Sequence, residues 1–185
     1  MILAGIATSE VAFWVVLALA LAARYVLRRD RLSTALLRTL PAIDLALLVF
    51  VATDLARHAD PTSSHALAAS YLGFTVAFGG PLVRWADARF AHRFAGGPRP
   101  VKPPKGSATY VRGLWLEWFR ALAAAGISVA ILTLLALGIR HQPVPATLDD
   151  AAADPLWAHV VLLGIVVVVW FLAGPAFARR TDRTS

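Results

Sequence analysis

Hydrophobic and polar positions in this chain fall mainly into long blocks. Apolar runs at 11–27, 41–56, 66–83, 121–139 and 156–173 are separated by polar or strongly basic segments. At 1.5 Å per residue, each is of the length that crosses a hydrocarbon layer of about 30 Å. The pattern predicts an all-α, polytopic membrane protein with five transmembrane helices in a single domain over 1–185. The basic segment 84–112 forms a loop between the third and fourth spans.

Local signals punctuate these runs. No positive region precedes the first run, and the cluster Arg24, Arg28, Arg29 and Arg31 follows it. This is the reverse of a secretory signal and leaves the N-terminus outside. Pro41 is expected in the first turn of the second span, where a missing N–H costs nothing, with Asp44 near the positive end of the helix dipole. Ala69, Gly73 and Ala77 set small residues at four-residue intervals, which predicts a close helix approach. Gly79-Gly80-Pro81 predicts a kink or broken turn. Trp115, Trp118 and Phe119 read as an interfacial belt at the start of the fourth helix. Asp154-Pro155 reads as the N-cap and N1 pair of the fifth.

Charge supplies the orientation. Lys and Arg number 18 against 11 acids, the formal net charge is +7 and the pI is near 11.0. Such a balance first suggests nucleic acid. Here, however, the cations flank apolar spans, 58% of the chain is hydrophobic and mean hydropathy is +0.66. Sixteen Lys and Arg residues fall on one side of the five-span arrangement and only Arg57 and Arg140 on the other. The positive-inside rule then places the N-terminus outside and the C-terminus in the cytoplasm. No nucleic-acid partner is expected. There is no cysteine, which excludes disulfides and thiolate chemistry. Walker A, GxGxxG, GxSxG and HExxH motifs are all absent from the sequence.

Candidate chemistry gathers at the predicted outer boundary. Glu10, Asp54, His58 and His159 share one depth there, with His65 and His141 as nearby loop histidines. Asp54 and His58, at i,i+4, share a helix face. A carboxylate among histidines can relay protons, couple an ion to transport, or hold a metal, haem or quinone. The structural alternative makes them interfacial polar residues, with Asp54 paired to Arg57 or His58. No cofactor and no metal site is expected. Glu117 with Arg120, and Asp87 with Arg84 or the arginines before the second span, read as interfacial ion pairs. Trp14 and Trp170 fall inside apolar spans and read as helix–helix packing residues.

In the central loop, Trp85, Phe90 and Phe94 interleave with Arg84, Arg89 and Arg93 as a rough amphipathic helix for the inner leaflet. Gly96-Gly97 ends it. Four prolines between 98 and 104, with Arg99, Lys102 and Lys105, then make a stiff cationic segment. These residues are candidate contacts for anionic inner-leaflet lipids or for a protein partner. The stretch RWADARFAHRFAGGPRPVKPPKG and the aromatic start of the fourth helix resemble a group of small bacterial integral membrane proteins called YmcC-like. That resemblance implies a bacterial cytoplasmic membrane protein of uncharacterised activity and carries over no site residues. The leading functional reading is a non-enzymatic scaffold or accessory subunit that docks through this loop. The alternatives are a small ion-coupled transporter using Asp54 and Glu10, and an outer-side site near Asp54, His58 and His159.

Overall fold

In a computed structural model the chain is described over residues 2–57 and 59–178, with the side chains at 2–6, 9, 10, 41, 43 and 44 outside the description. All regular structure among the described residues is helical. It comprises α1 (Ile2–Tyr25), α2 (Asp30–Ala56), α3 (Ser63–Phe94), α4 (Ala108–Thr133), the short α5 (Leu148–Ala153) and α6 (Pro155–Ala173). α4 continues as a π-helical turn over Leu134–Ile139, and α6 is followed by a 3-10 turn, Pro175–Phe177.

Four helical stretches have the length and apolar content to cross a bilayer: Asp30–Ala56, Ser63–Phe94, Ala108–Ile139 and Pro155–Phe177. α1 is apolar as well, over the shorter stretch Val11–Tyr25. A four-residue turn, in which Arg28 takes φ +54°, folds α2 back along α1. α2 and α3 pack on one another, α3 packs along α4, and α4 along α6. Two apolar cores result. One joins Val51 and Leu55 of α2, Ala69 of α3, Leu132 of the α4 end and Leu156 of α6. The other joins Leu17 and Leu21 of α1, Leu40 of α2 and Ala86 of α3.

The small-residue row works as anticipated at the α3–α4 crossing. Gly73 is buried against Ala124 and Ser128, and Ala69, one turn earlier, is buried in the same core as Ala125. A Cβ on Gly73 would stand 2.6 Å from the Ala124 carbonyl oxygen, closer than any real side chain approaches. The Ser128 hydroxyl reaches the Ala124 carbonyl at 2.8 Å and the Ser70 carbonyl across the interface at 3.4 Å. α6 is tied to α4 at the opposite end, where the Trp118 indole N–H donates to the Val167 carbonyl at 3.2 Å. Trp118 therefore packs between helices, with Phe171 at 5.4 Å, and is more than an interfacial anchor. Trp170 packs on Phe78 of α3 at 5.8 Å. Trp14 stands half exposed with its ring edge-on to Phe13.

Three boundaries differ from the sequence reading. α2 begins at Asp30, so position 41 lies in its interior and position 44 is not in a first turn. Leu37 and Leu40 pack on the α1–α3 core, and this burial recruits residues 30–40 into the helix in spite of the proline. α3 runs unbroken through Gly79-Gly80-Pro81 to Phe94. Proline removes one ladder hydrogen bond, whereas the residues beyond it, Val83, Ala86 and Phe90, bury an apolar face on α1 and α2. The basic segment 84–94 is thus a continuation of the third helix. At 32 residues α3 is about 48 Å long and exceeds a hydrocarbon layer of about 30 Å. α4 begins at Ala108, where the Ser107 hydroxyl accepts the Tyr110 N–H at 3.1 Å.

Candidate functional site

The α3 extension and the segment after it form the basic end of the bundle. Its geometry is set by one acid. The Arg24 guanidinium lies 3.2 Å from the Asp87 carboxylate, and the Tyr25 hydroxyl donates to the same oxygen at 2.9 Å. Arg24 also stands 3.9 Å from Asp30. Asp87 is therefore paired with Arg24 rather than Arg84, and the extension is bound to the ends of α1 and α2. Phe90 turns to the core while Trp85, Arg89, Arg93 and Phe94 stay exposed. The Arg89 guanidinium stacks on Trp85, 4.2 Å from the ring centroid, and Phe94 lies 5.3 Å from Phe90.

Gly96 takes φ +65°, a left-handed conformation suited to glycine, and the Gly97 N–H turns back to the Ala91 carbonyl at 3.0 Å. The anticipated helix stop is in place. Residues 98–104 carry no helix, and Arg99, Lys102 and Lys105 are exposed, as is Val101 at 85%. Among the described residues Arg84, Arg89, Arg93, Arg99, Lys102 and Lys105 have no ion-pair partner. Glu117 and Arg120 likewise form no ion pair there, in contrast to their sequence spacing. The arginines at 179, 180 and 183 lie outside the described residues.

The opposite end collects the histidines. Asp54, in the last turn of α2, meets His65 in the first turn of α3, with Oδ2 to Nε2 at 3.1 Å. His65 is 2% exposed. The Thr62 N–H donates to His65 Nδ1 at 3.1 Å, and the Thr62 hydroxyl lies 2.8 Å from the same nitrogen. Because a backbone N–H can only donate, Nδ1 is the acceptor in this arrangement and Nε2 is the nitrogen that faces Asp54. The partner of Asp54 is this histidine, not Arg57. In sequence His65 reads as a loop histidine, yet it caps α3 and joins α2 to it. The Thr62-x-x-His65 spacing, a capping box with histidine in place of Glu or Gln, was the available signal.

Asp154, Gln142 and Arg140 are also engaged at this end, although Arg140 Nε, Gln142 Oε1 and Trp157 Nε1 are buried without a partner among the described residues. Asp154 caps α6 by accepting the Leu156 and Trp157 N–H groups at 2.9 and 3.2 Å, which bears out the Asp-Pro reading. Its other oxygen accepts from Gln142 at 3.0 Å. The Arg140 guanidinium donates to the Ala59 carbonyl at 2.9 Å and fastens the end of α4 to the α2–α3 loop. His159 sits half-buried in the second turn of α6, and His141 is exposed at φ +53°. His58 and the Glu10 side chain lie outside the described residues. Among the described residues no three His, Asp or Glu side chains gather as a metal-ligand set.

These observations define a class, an all-helical, multi-pass membrane protein. Within that class the chain is similar to the uncharacterized membrane protein YmcC of Bacillus subtilis (strain 168), 43% identical over 94 residues. The match covers 50% of this chain and 51% of that protein, so the chain spans about half the length of the curated relative it matches. No family model and no solved structure matches.

Proposed function

We propose that the chain is a non-enzymatic scaffold or accessory subunit of the bacterial cytoplasmic membrane. In this reading it has five spans, its N-terminus outside and its C-terminus inside. It docks through 84–112 onto anionic inner-leaflet headgroups and onto a protein partner held there. The observation that carries this reading is the withdrawal of Asp87. With that acid paired to Arg24 and Tyr25, the outward cations of the extension and of the proline-rich segment face solvent without an acid among them. Each adds about 1 kcal/mol of attraction to an anionic surface. Exposed Trp85 adds an amphipathic ring of the kind that settles at a headgroup boundary, and exposed Phe94 adds apolar surface beside it.

Because the chain has no cysteine, orientation is open to single-site labelling. Val101→Cys should react with an impermeant maleimide only after the cells are lysed, and Val144→Cys in intact cells. The reverse pattern would overturn the proposed sidedness. For docking, Arg99→Gln/Lys102→Gln/Lys105→Gln should weaken both the capture of anionic vesicles and the co-purification of partners. Unchanged lipid capture and unchanged co-purification would sink the reading.

A further inference from the structure

Between α1, α2 and α3, in the half of the bundle nearer the basic end, lies an apolar groove of about 750 Å³. Phe13 of α1, Leu40 of α2 and Val76, Gly79 and Gly80 of α3 line it. The glycine pair gives it depth. A Cβ on Gly79 would meet nothing nearer than a Thr75 methyl at 3.7 Å, and one on Gly80 nothing nearer than the Arg84 guanidinium at 3.4 Å. The volume falls in the usual ligand-site range of about 300–1,000 Å³. A smaller cavity of about 210 Å³ shares Phe13, Thr75 and Gly79 with it.

Arg84 is the last lining residue on α3 and, among the described residues, the only charged one. It has no carboxylate among the described residues, because the Asp87 carboxylate is held by Arg24 and Tyr25 and Asp30 lies nearest Arg24. Over its described lining the groove is therefore largely apolar along its length, with one guanidinium at its end. A soluble anion would leave the apolar walls uncovered, and a neutral lipid would leave the guanidinium without an acceptor. An amphiphile with an anionic oxygen head satisfies both, since a planar guanidinium donates two parallel N–H bonds to a phosphate.

We propose that this groove binds one anionic phospholipid, an acyl chain lying along Phe13, Leu40 and Val76 and its phosphate resting on Arg84. The smaller cavity offers room for part of the second chain. The site uses an interhelical groove rather than the proline-rich segment; it shares Arg84 with the docking surface but does not need Arg99, Lys102 or Lys105.

Native mass spectrometry of the full chain, purified in mild detergent and exchanged against equal phosphatidylglycerol and phosphatidylcholine, tests this. One phosphatidylglycerol per chain should be retained in preference to phosphatidylcholine. Arg84→Gln should weaken retention about tenfold, as expected for losing a charge-assisted pair. Gly80→Leu should remove retention by filling the groove. Val76→Phe, at an exposed position on the wall, repeats that obstruction if Gly80→Leu does not fold. Arg99→Gln/Lys102→Gln/Lys105→Gln should retain lipid as the wild type does, although it is expected to lose docking. Any of three results would overturn the site: equal retention of both lipids, Arg84→Gln behaving as wild type, or inorganic phosphate displacing the lipid.

Discussion

The two ends of this bundle handle polar groups in opposite ways. At the histidine end, Asp54, Thr62 and His65 satisfy one another, Asp154 serves Gln142 and two backbone N–H groups, and Arg140 holds a carbonyl. At the basic end one acid is drawn inward and the remaining cations are left open. Ionisable residues at membrane depth attract a functional reading by default, and the histidine end held the residues that looked most chemical in sequence. Asp54, His65, Arg140 and Asp154 prove to be fastenings of α2, α3, α4 and α6, whereas His141 and His159 make no such bond among the described residues. The histidine end still buries Arg140 Nε, Gln142 Oε1 and Trp157 Nε1 without a partner among the described residues, but the basic end, which first served only to orient the chain, keeps the exposed, unpaired cations. Exposed cations without a carboxylate are what an anionic ligand or partner can use.

The largest expected effect comes from the frame that both ends share. Gly73→Val inserts atoms against the Ala124 carbonyl and should destabilise the α3–α4 pair by about 3 kcal/mol or more, the upper range for overpacking. Thermal unfolding in detergent reads this. A variant with an unchanged melting temperature would show that the crossing is looser than described.

Next in size is the loop. Reconstituted in neutral nanodiscs, Arg99→Gln/Lys102→Gln/Lys105→Gln should lose roughly hundredfold in affinity for phosphatidylglycerol vesicles, from about 1 kcal/mol per charge. Its melting temperature should not move. A fall in stability with retained affinity would reverse the contrast between the two ends.

At the histidine end, His65→Ala strips Asp54 and Thr62 of their common partner and should cost about 2 kcal/mol. His65→Gln keeps an acceptor for the Thr62 N–H and should recover the cap but not the bond to Asp54. A double-mutant cycle with Asp54→Asn measures the coupling, and additive losses would mean that the two side chains act separately. Vesicle capture should be unaffected by any of these changes. Smallest is Asp87→Asn, expected to cost about 1 kcal/mol because the pair with Arg24 is partly exposed. That is a shift of a few degrees in melting temperature.

Much of the frame is legible in the residues themselves. Apolar blocks locate the helices, Asp154-Pro155 places the start of α6, and the Ala69-Gly73 spacing marks the α3–α4 crossing. Local punctuation failed wherever burial outweighed it. Pro41 reads as a start and Gly79-Gly80-Pro81 as a break. Both lie inside helices because the residues around them bury apolar faces on α1, and because helices between neighbours tolerate the loss of one hydrogen bond. The site was less legible. Which histidine would meet Asp54 depended on how α2 packs against α3, and His65 lies eleven residues away from it. The pairing of Asp87 with Arg24 spans 63 residues and no local pattern announces it.

The contrast rests finally on where the proline-rich segment lies. A cysteine-reactive, polarity-sensitive fluorophore on Val101→Cys, the sole thiol in the chain, reports that position directly in proteoliposomes. The account predicts a blue-shifted emission in phosphatidylglycerol-containing vesicles that reverts in high salt and is absent with phosphatidylcholine alone. An emission that is the same in both lipids and indifferent to salt would contradict it.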